Sequence, residues 1–368
     1  MTAQTTEKIE FSLGSTYEIT VPFAKNNANR VVQYALQDVI AKIIDNKRLH
    51  SCRRFIIPGK EKVDVLYSEK LARAHYGNLM VCGSIWVCPI CAARIMTRKR
   101  EEIAKGIDTF LELGGSVFMA AFTLQHDREE RLKDVKGSLL KATGEFTGGR
   151  QYQKIKKEFG IIGNISALEV TWSDRAGWHP HKHYLFFSDQ KLTQNDIGEL
   201  QQLFSKRYCS ILKRVGRYGS RDAAVKLSLG DPQQTKDYIC KWGLVDEIAL
   251  GFEKSARGNG FSPFQLAHWA GLYGEERPAL LFREFFYAFK GSHQLQYSRG
   301  LREFLELGQE RSDLELAKEN SAEAVRIAQV EREAWRVICT KGLRGELLQA
   351  ASSGITDNVV KFLEKNCQ

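Results

Sequence analysis

Trp178-His-Pro-His-Lys-His-Tyr-Leu-Phe-Phe187, preceded by Ile165-Ser-Ala-Leu-Glu-Val-Thr-Trp172 and the polar run Ser173-Asp-Arg-Ala-Gly177, is the stretch whose reading decides the fold. In a strand, alternate side chains face the same side. His181 and His183 therefore share a face that Leu185 continues, and the turn at 173–177 folds their strand back on the one from Ile165 to Trp172 as a hairpin. Glu169, on the neighbouring strand, is then the best third partner for the two imidazoles, ahead of His126. Two histidines and a carboxylate suit a divalent ion with open positions, which polarises a phosphoryl oxygen. The competing reading is a hydrogen-bonded surface pair of histidines. His179 lies on the same alternation, but Pro180 marks it as the first strand residue or part of the turn.

Outward from the hairpin, Val117-Phe-Met-Ala-Ala-Phe-Thr-Leu124 reads as a buried strand and Tyr17–Val21 as a shorter one. Helical spacing runs from Val31 to Ile44 and from Ala92 to Leu113, where Gly114-Gly115 stops it. Further helices are expected at 193–214 and 232–243, and beyond Gly258-Asn-Gly260 the pattern is helical almost to the end, with a charged amphipathic stretch around 312–338. The expected class is α+β, with an antiparallel-sheet domain over 111–250, an N-terminal region over 1–110 and a helical C-terminal region over 251–368.

The N-terminal region carries Cys82-x5-Cys88-Pro-Ile-Cys91, with Cys52 upstream. A Cys-Pro-x-Cys knuckle aims two thiolates at one ion, and four thiolates close a tetrahedral shell of the structural kind around Zn²⁺. His50 or His75 can replace one sulfur, and the bland alternative is four buried, unpaired cysteines. The helix after the knuckle bears Arg94, Arg98, Lys99 and Arg100, which either grip phosphates or form a solvated face.

The chain has 368 residues, 43% of them hydrophobic, enough to bury a core and to exclude disorder for most of its length. Its 54 Lys and Arg against 44 Asp and Glu leave a net charge of +10, and residues 301–368 are slightly acidic, so the basic excess sits in the body. That distribution favours nucleic acid over a basic tail or membrane arm. No apolar run approaches the roughly 18 residues of a membrane span, and the N-terminus lacks a signal-peptide core. The expectation is a soluble cytoplasmic protein without a membrane partner. Eight cysteines in a chain this long fit a metal site better than a disulfide framework.

A third constellation is Asp237-Tyr238-Ile-Cys-Lys241-Trp242, where Tyr238 and Lys241 share a helix face. A tyrosine attacks a phosphodiester when a nearby cation stabilises its phenolate. Between this segment and the histidines lie Lys206, Arg207, Lys213, Arg214, Arg217 and Arg221, interleaved with Tyr208 and Tyr218 as candidate base-stacking rings. A solvated helix face is the alternative for each.

Phe122-Thr-Leu-Gln-His126, His-Pro-His181-Lys-His183 and Tyr238-x-x-Lys241, in that order, resemble motifs one, two and three of the rolling-circle replication initiators among the HUH endonucleases, and the cysteine knuckle resembles their plasmid-type branch. The resemblance spans about residues 50–245. It implies a catalytic Mg²⁺ or Mn²⁺ on His181, His183 and Glu169. It also implies Tyr238 as the nucleophile that keeps the 5′ phosphate when one strand is nicked, Lys241 beside it, and Arg94, Arg98, Lys213, Arg214 and Arg217 among the DNA contacts. Implied partners are origin DNA, a host helicase and a second copy of the chain; a transposase or relaxase would use the same chemistry. Three positions depart from the pattern: Lys182 stands where a hydrophobic residue is usual, Gln234 where some relatives carry a glutamate, and Trp242 where a second tyrosine would lie. The rivals are a zinc-stabilised DNA-binding regulator that cleaves nothing and a zinc hydrolase built on the same histidines.

Overall fold

Fifty residues before the hairpin, Ser116-Val-Phe-Met-Ala-Ala-Phe122 is apolar without a break, as a strand covered on both faces must be. The computed structural model describes residues 5–11, 15–21, 25–230, 260–319 and 323–367. Strands β1 (Thr5–Phe11) and β2 (Ser15–Val21) pair as a ribbon, followed by helices α1 (Lys25–Ile43) and α2 (Lys47–Ser51) and strands β3 (Val63–Ser68) and β4 (Arg73–Gly77). Next come α3 (Pro89–Glu112), β5 (Ser116–Phe122), α4 (Leu132–Phe146), α5 (Gly149–Glu158), β6 (Ile161–Ser173), β7 (Gly177–Ser188), α6 (Gln194–Arg214) and β8 (Val225–Leu229). After the break in description follow α7 (Pro263–Tyr273), α8 (Glu276–Phe289), β9 (Leu295–Tyr297), α9 (Leu301–Phe304), α10 (Asp313–Lys318), β10 (Val325–Val330), α11 (Arg332–Thr340), α12 (Arg344–Ala350) and α13 (Thr356–Asn366).

The main sheet is antiparallel throughout, in the order β8-β5-β7-β6-β9, so the fold is α+β as expected. One face packs aromatics against α4 and α6. Phe122 lies 4.8 Å from Phe146 and 5.0 Å from Tyr208, and Phe118 stacks on Phe186 at 5.0 Å. The other face meets α3 at one end, where Phe110 sits edge-on to Phe187 at 5.2 Å. The opposite end of that face carries the histidines.

The C-terminal region is helical in α7 and α8, yet it also yields two strands. Leu295–Tyr297 pairs with Ile165–Ala167 at the edge of the main sheet, and Val325–Val330 pairs with β3 in a second sheet of order β10-β3-β4. The charged stretch expected as one helix around 312–338 is thus α10, β10 and α11, because an open sheet edge outweighs a weak helical pattern. Helix α12 docks against α1 through Arg344, which is fully buried. Its guanidinium pairs with the Asp38 carboxylate, donates to Gln37 Oε1 at 2.8 Å and lies 5.0 Å from the Tyr34 ring. Breaking a buried pair strands a charge. Arg344→Ala is expected to cost about 3 kcal/mol in denaturant unfolding, at the lower end for such pairs because Arg54 still reaches Asp38; a change within error would mean that the pair does not hold α12.

Candidate active site and metal centre

Gly177 closes the β6–β7 turn in the left-handed region (φ 69°), where a Cβ would also strike the carbonyl oxygen of Arg128. The register then sets Thr171 opposite His179, Glu169 opposite His181 and Ala167 opposite His183. Period two puts all three histidines on one face with Glu169. Ala121 of β5 and Ala167 of β6 flank His183, and their small side chains leave its ring room. His181 packs edge-on to His179 with centroids 4.3 Å apart, and the His183 ring lies 5.8 Å further along. Glu169 Oε2 is 2.8 Å from His183 Nε2. His126, just past the end of β5, closes the row, with its Nε2 2.7 Å from His179 Nδ1.

His179 is thus inside the strand, which begins at Gly177, rather than its first residue or part of the turn. Strand β5 stops at Phe122, opposite Lys182, so β7 has a free edge beyond that point, where a proline removes no ladder bond to β5. The signal was present in the alternation 179, 181, 183. Lys182 points to the other face, where it is buried, approaches Gln296 Oε1 at 3.5 Å and covers the Tyr184 ring; it snorkels rather than meeting DNA.

Burial, reinforced by the neighbouring imidazoles His179, His183 and His126, pushes the His181 pKa down to about 3, and burial lowers His179 as well. Both rings stay neutral at physiological pH and keep a lone pair for a ligand. Burial also brings His75 and His268 down to about 4. Because these folded-state values lie below the ordinary 6.5, the unfolded chain takes up protons first as pH falls. Stability present above pH 6.5 is therefore expected to drain away between about 6.5 and 4, and His268→Gln should flatten part of that loss when denaturation midpoints at neutral and mildly acid pH are compared. An equal acid loss in the variant would remove His268 from this account.

The basic candidates separate. Arg94 is half-buried in α3 and donates to the Glu319 carbonyl at 2.6 Å, with its pKa brought down to about 10 by desolvation and by Arg53. Arg98 pairs with Glu101 and Glu319, Arg214 with Glu145, and Arg217 with Glu130; Lys213 is exposed. Arg207 ties α6 to the carbonyls of Glu145, Phe146 and Gly148, and Tyr208 is core, so neither is available to stack or grip a strand. Tyr218 is 68% exposed, and its backbone pairs with Gln125 beside His126. Lys226, exposed on β8 opposite Ala121, joins the histidine face and went unnoticed in the sequence.

Cys88 is the N-cap of α3 and Pro89 its first residue, so the start of the helix fixes the knuckle. All four cysteines are buried, with Sγ separations of 3.8 Å for Cys52–Cys88, 3.6 Å for Cys52–Cys91 and 3.6 Å for Cys82–Cys91. Bonds of about 2.3 Å to a tetrahedral ion require sulfurs about 3.8 Å apart. The four sulfurs therefore fit a metal such as zinc, and no histidine is needed. Gln37 donates to Cys88 Sγ at 3.2 Å and Arg48 to the Cys82 carbonyl at 2.6 Å, holding the ligand loops from outside. Among the described residues only these cysteines bring three or more such ligand atoms within 4.8 Å of one another; His181, His183 and Glu169 share a face without converging that closely.

Tyr238 and Lys241 lie outside the described residues, as do Gln234 and Trp242. No helix among the described residues is long and apolar enough to cross a membrane. The chain is similar to "Protein rep" of Streptomyces lividans, at 24% identity over 345 residues covering 74% of this chain and 75% of that one. It is also similar to a "Neomycin resistance protein" of Streptomyces cyanogenus, at 32% identity over 130 residues, 29% of this chain and 30% of the other. No family model and no solved structure matches.

Proposed function

We propose that the chain is a replication protein that nicks and rejoins one strand of its origin DNA through Tyr238. The observation that carries this reading is the shared face of His179, His181, His183 and Glu169, with His126 against it. Similarity to a protein named for replication supports the coarser statement, a role in replication.

In this reading the Tyr238 oxygen attacks the scissile phosphorus, the bond from phosphorus to the 3′ oxygen breaks, and that oxygen takes up a proton as the free 3′ hydroxyl. The 5′ phosphate stays on Tyr238, and Lys241 stabilises the phenolate. His181, His183 and Glu169 would hold Mg²⁺ or Mn²⁺, which when bound offsets charge on the phosphate. Imidazoles beside a carboxylate are a fitting donor set. A host helicase and a second copy of the chain are proposed as partners at the origin.

The test is a covalent-adduct assay on single-stranded DNA from the chain's own replicon with Mn²⁺. A band that survives denaturation, with its peptide mapped to Tyr238, is expected. No adduct from folded protein on cognate origin would move the reading to a DNA-binding regulator without cleavage. His181→Ala is expected to lower adduct formation at micromolar Mn²⁺ by about a hundredfold or more with DNA binding retained; an undiminished rate would remove His181 from the metal site.

A further inference from the structure

At the turn end of the β6–β7 hairpin, on the face away from the histidines, a cavity of about 430 Å³ opens between the hairpin, the start of α4 and the side of α8. Its size falls within the range of small-ligand sites. Trp172 and Trp178, paired across the turn, form one wall. The Arg277 guanidinium lies over the Trp172 ring at 5.2 Å, and Arg128 and Arg131 stand exposed at the mouth. Deeper in, both oxygens of Glu284 are fixed as acceptors, one from the Leu132 backbone N–H at 2.8 Å and the other from Trp178 Nε1 at 2.9 Å. Each carboxylate oxygen keeps capacity for another donor.

We infer that this cavity takes one unpaired nucleobase of the DNA strand that crosses the histidine row, and so reads sequence beside the nick; this rests on the function proposed above. The wall residues connect the two places. The segment from His126 to Arg131 leads from the histidine row to the mouth in five residues, no more than about 18 Å even when extended. Gly177 and Trp178 directly precede His179. Arg131 stands at the mouth to meet a phosphodiester, beside Arg128 and Arg277 whose charges are paired with Glu129 and Asp174, and the arginine stacked on tryptophan offers a planar surface to a base. The Glu284 carboxylate selects for donors. Adenine, cytosine and guanine present an exocyclic amino group, whereas thymine presents its single N–H between two carbonyl oxygens that a carboxylate repels. The site therefore favours a base carrying an amino group.

The test uses the full chain and single-stranded oligonucleotides tiled across its own replicon, followed by an abasic scan of the tightest binder with affinity and covalent adduct read in parallel. One position a few nucleotides from the nick is expected to lose about tenfold in affinity when made abasic or changed to thymine, the scale of one stacked base. Arg277→Lys keeps the charge and removes the planar stack. It should bind the abasic and intact strands alike while still forming adduct, and Arg277 is exposed enough for the variant to fold. An unchanged abasic profile in Arg277→Lys, with adduct formed, overturns the pocket and leaves the nickase standing. A wild-type scan with no sensitive position does the same. Loss of all single-strand binding and of adduct in the wild type overturns both.

Discussion

Tyr238→Phe is expected to abolish the covalent DNA adduct, by a factor of roughly 10⁴ or more, while leaving affinity for single-stranded DNA within about twofold. The substitution removes one oxygen and keeps the ring, so whatever packing Tyr238 makes is preserved and only nucleophilicity is lost. Trp242, four residues later in the sequence, has no nucleophilic oxygen, and Gln234, four residues earlier, is a poor activator of water. The same absence predicts that wild-type protein, having nicked once, holds its adduct until a 3′ hydroxyl returns to displace it. The measurement is denaturing electrophoresis of protein with labelled oligonucleotide beside an anisotropy titration of the same samples. Adduct from the phenylalanine variant at close to the wild-type rate would end the assignment of Tyr238. Loss of both adduct and binding would instead indicate that the side chain is structural, whereas a regulator that only binds DNA would form no adduct with either protein and be indifferent to the substitution.

The hairpin was legible because its signals are local. Alternation at 181, 183 and 185, a five-residue polar turn and an apolar partner strand leave little choice of register, and Glu169 falls opposite His181 as that register demands. His179 was discounted because a proline inside a strand counts against it, and what rescues Pro180 is the early end of β5, a fact of tertiary pairing that no window around residue 180 contains. Strands β9 and β10 were missed for a related reason. Each is short, and each forms because another strand offers an edge more than a hundred residues away, Ile165–Ala167 for one and Val63–Tyr67 for the other. Arg207 and Tyr208 read as DNA contacts because a basic residue beside an aromatic one on a helix looks alike whether it faces solvent or core. Only the packing of α6 on Phe122 and Phe146 turns both inward.

The cysteine centre yields the largest expected effect on stability. Its sulfurs are drawn from α2's end, the loop before α3 and the first turn of α3, so a metal there ties three segments together, adding to the backbone hydrogen bonds that join Arg53 and Phe55 to Met80. Thiolate-bound zinc contributes its binding free energy directly to folding, about 10–16 kcal/mol in small zinc-dependent domains. In a chain with a large core the share is smaller, because α1, α3 and the second sheet still bury Leu36, Ile40, Ile95 and Val65 without it. Protein purified with zinc is expected to contain one ion per chain, and a chelator strong enough to remove it should lower the melting temperature by about five degrees or more, equivalent to several kcal/mol. Cys91→Ser should reproduce that loss and make the chelator ineffective, since three sulfurs no longer close the shell. Gln37→Ala, which takes away only the donor to Cys88 Sγ, should weaken zinc retention without removing it. The decisive comparison is metal content against melting temperature. A chain that loses its zinc and melts where it did before would reduce the four cysteines to buried apolar residues, and the close approach of their sulfurs would then have no role in holding the fold.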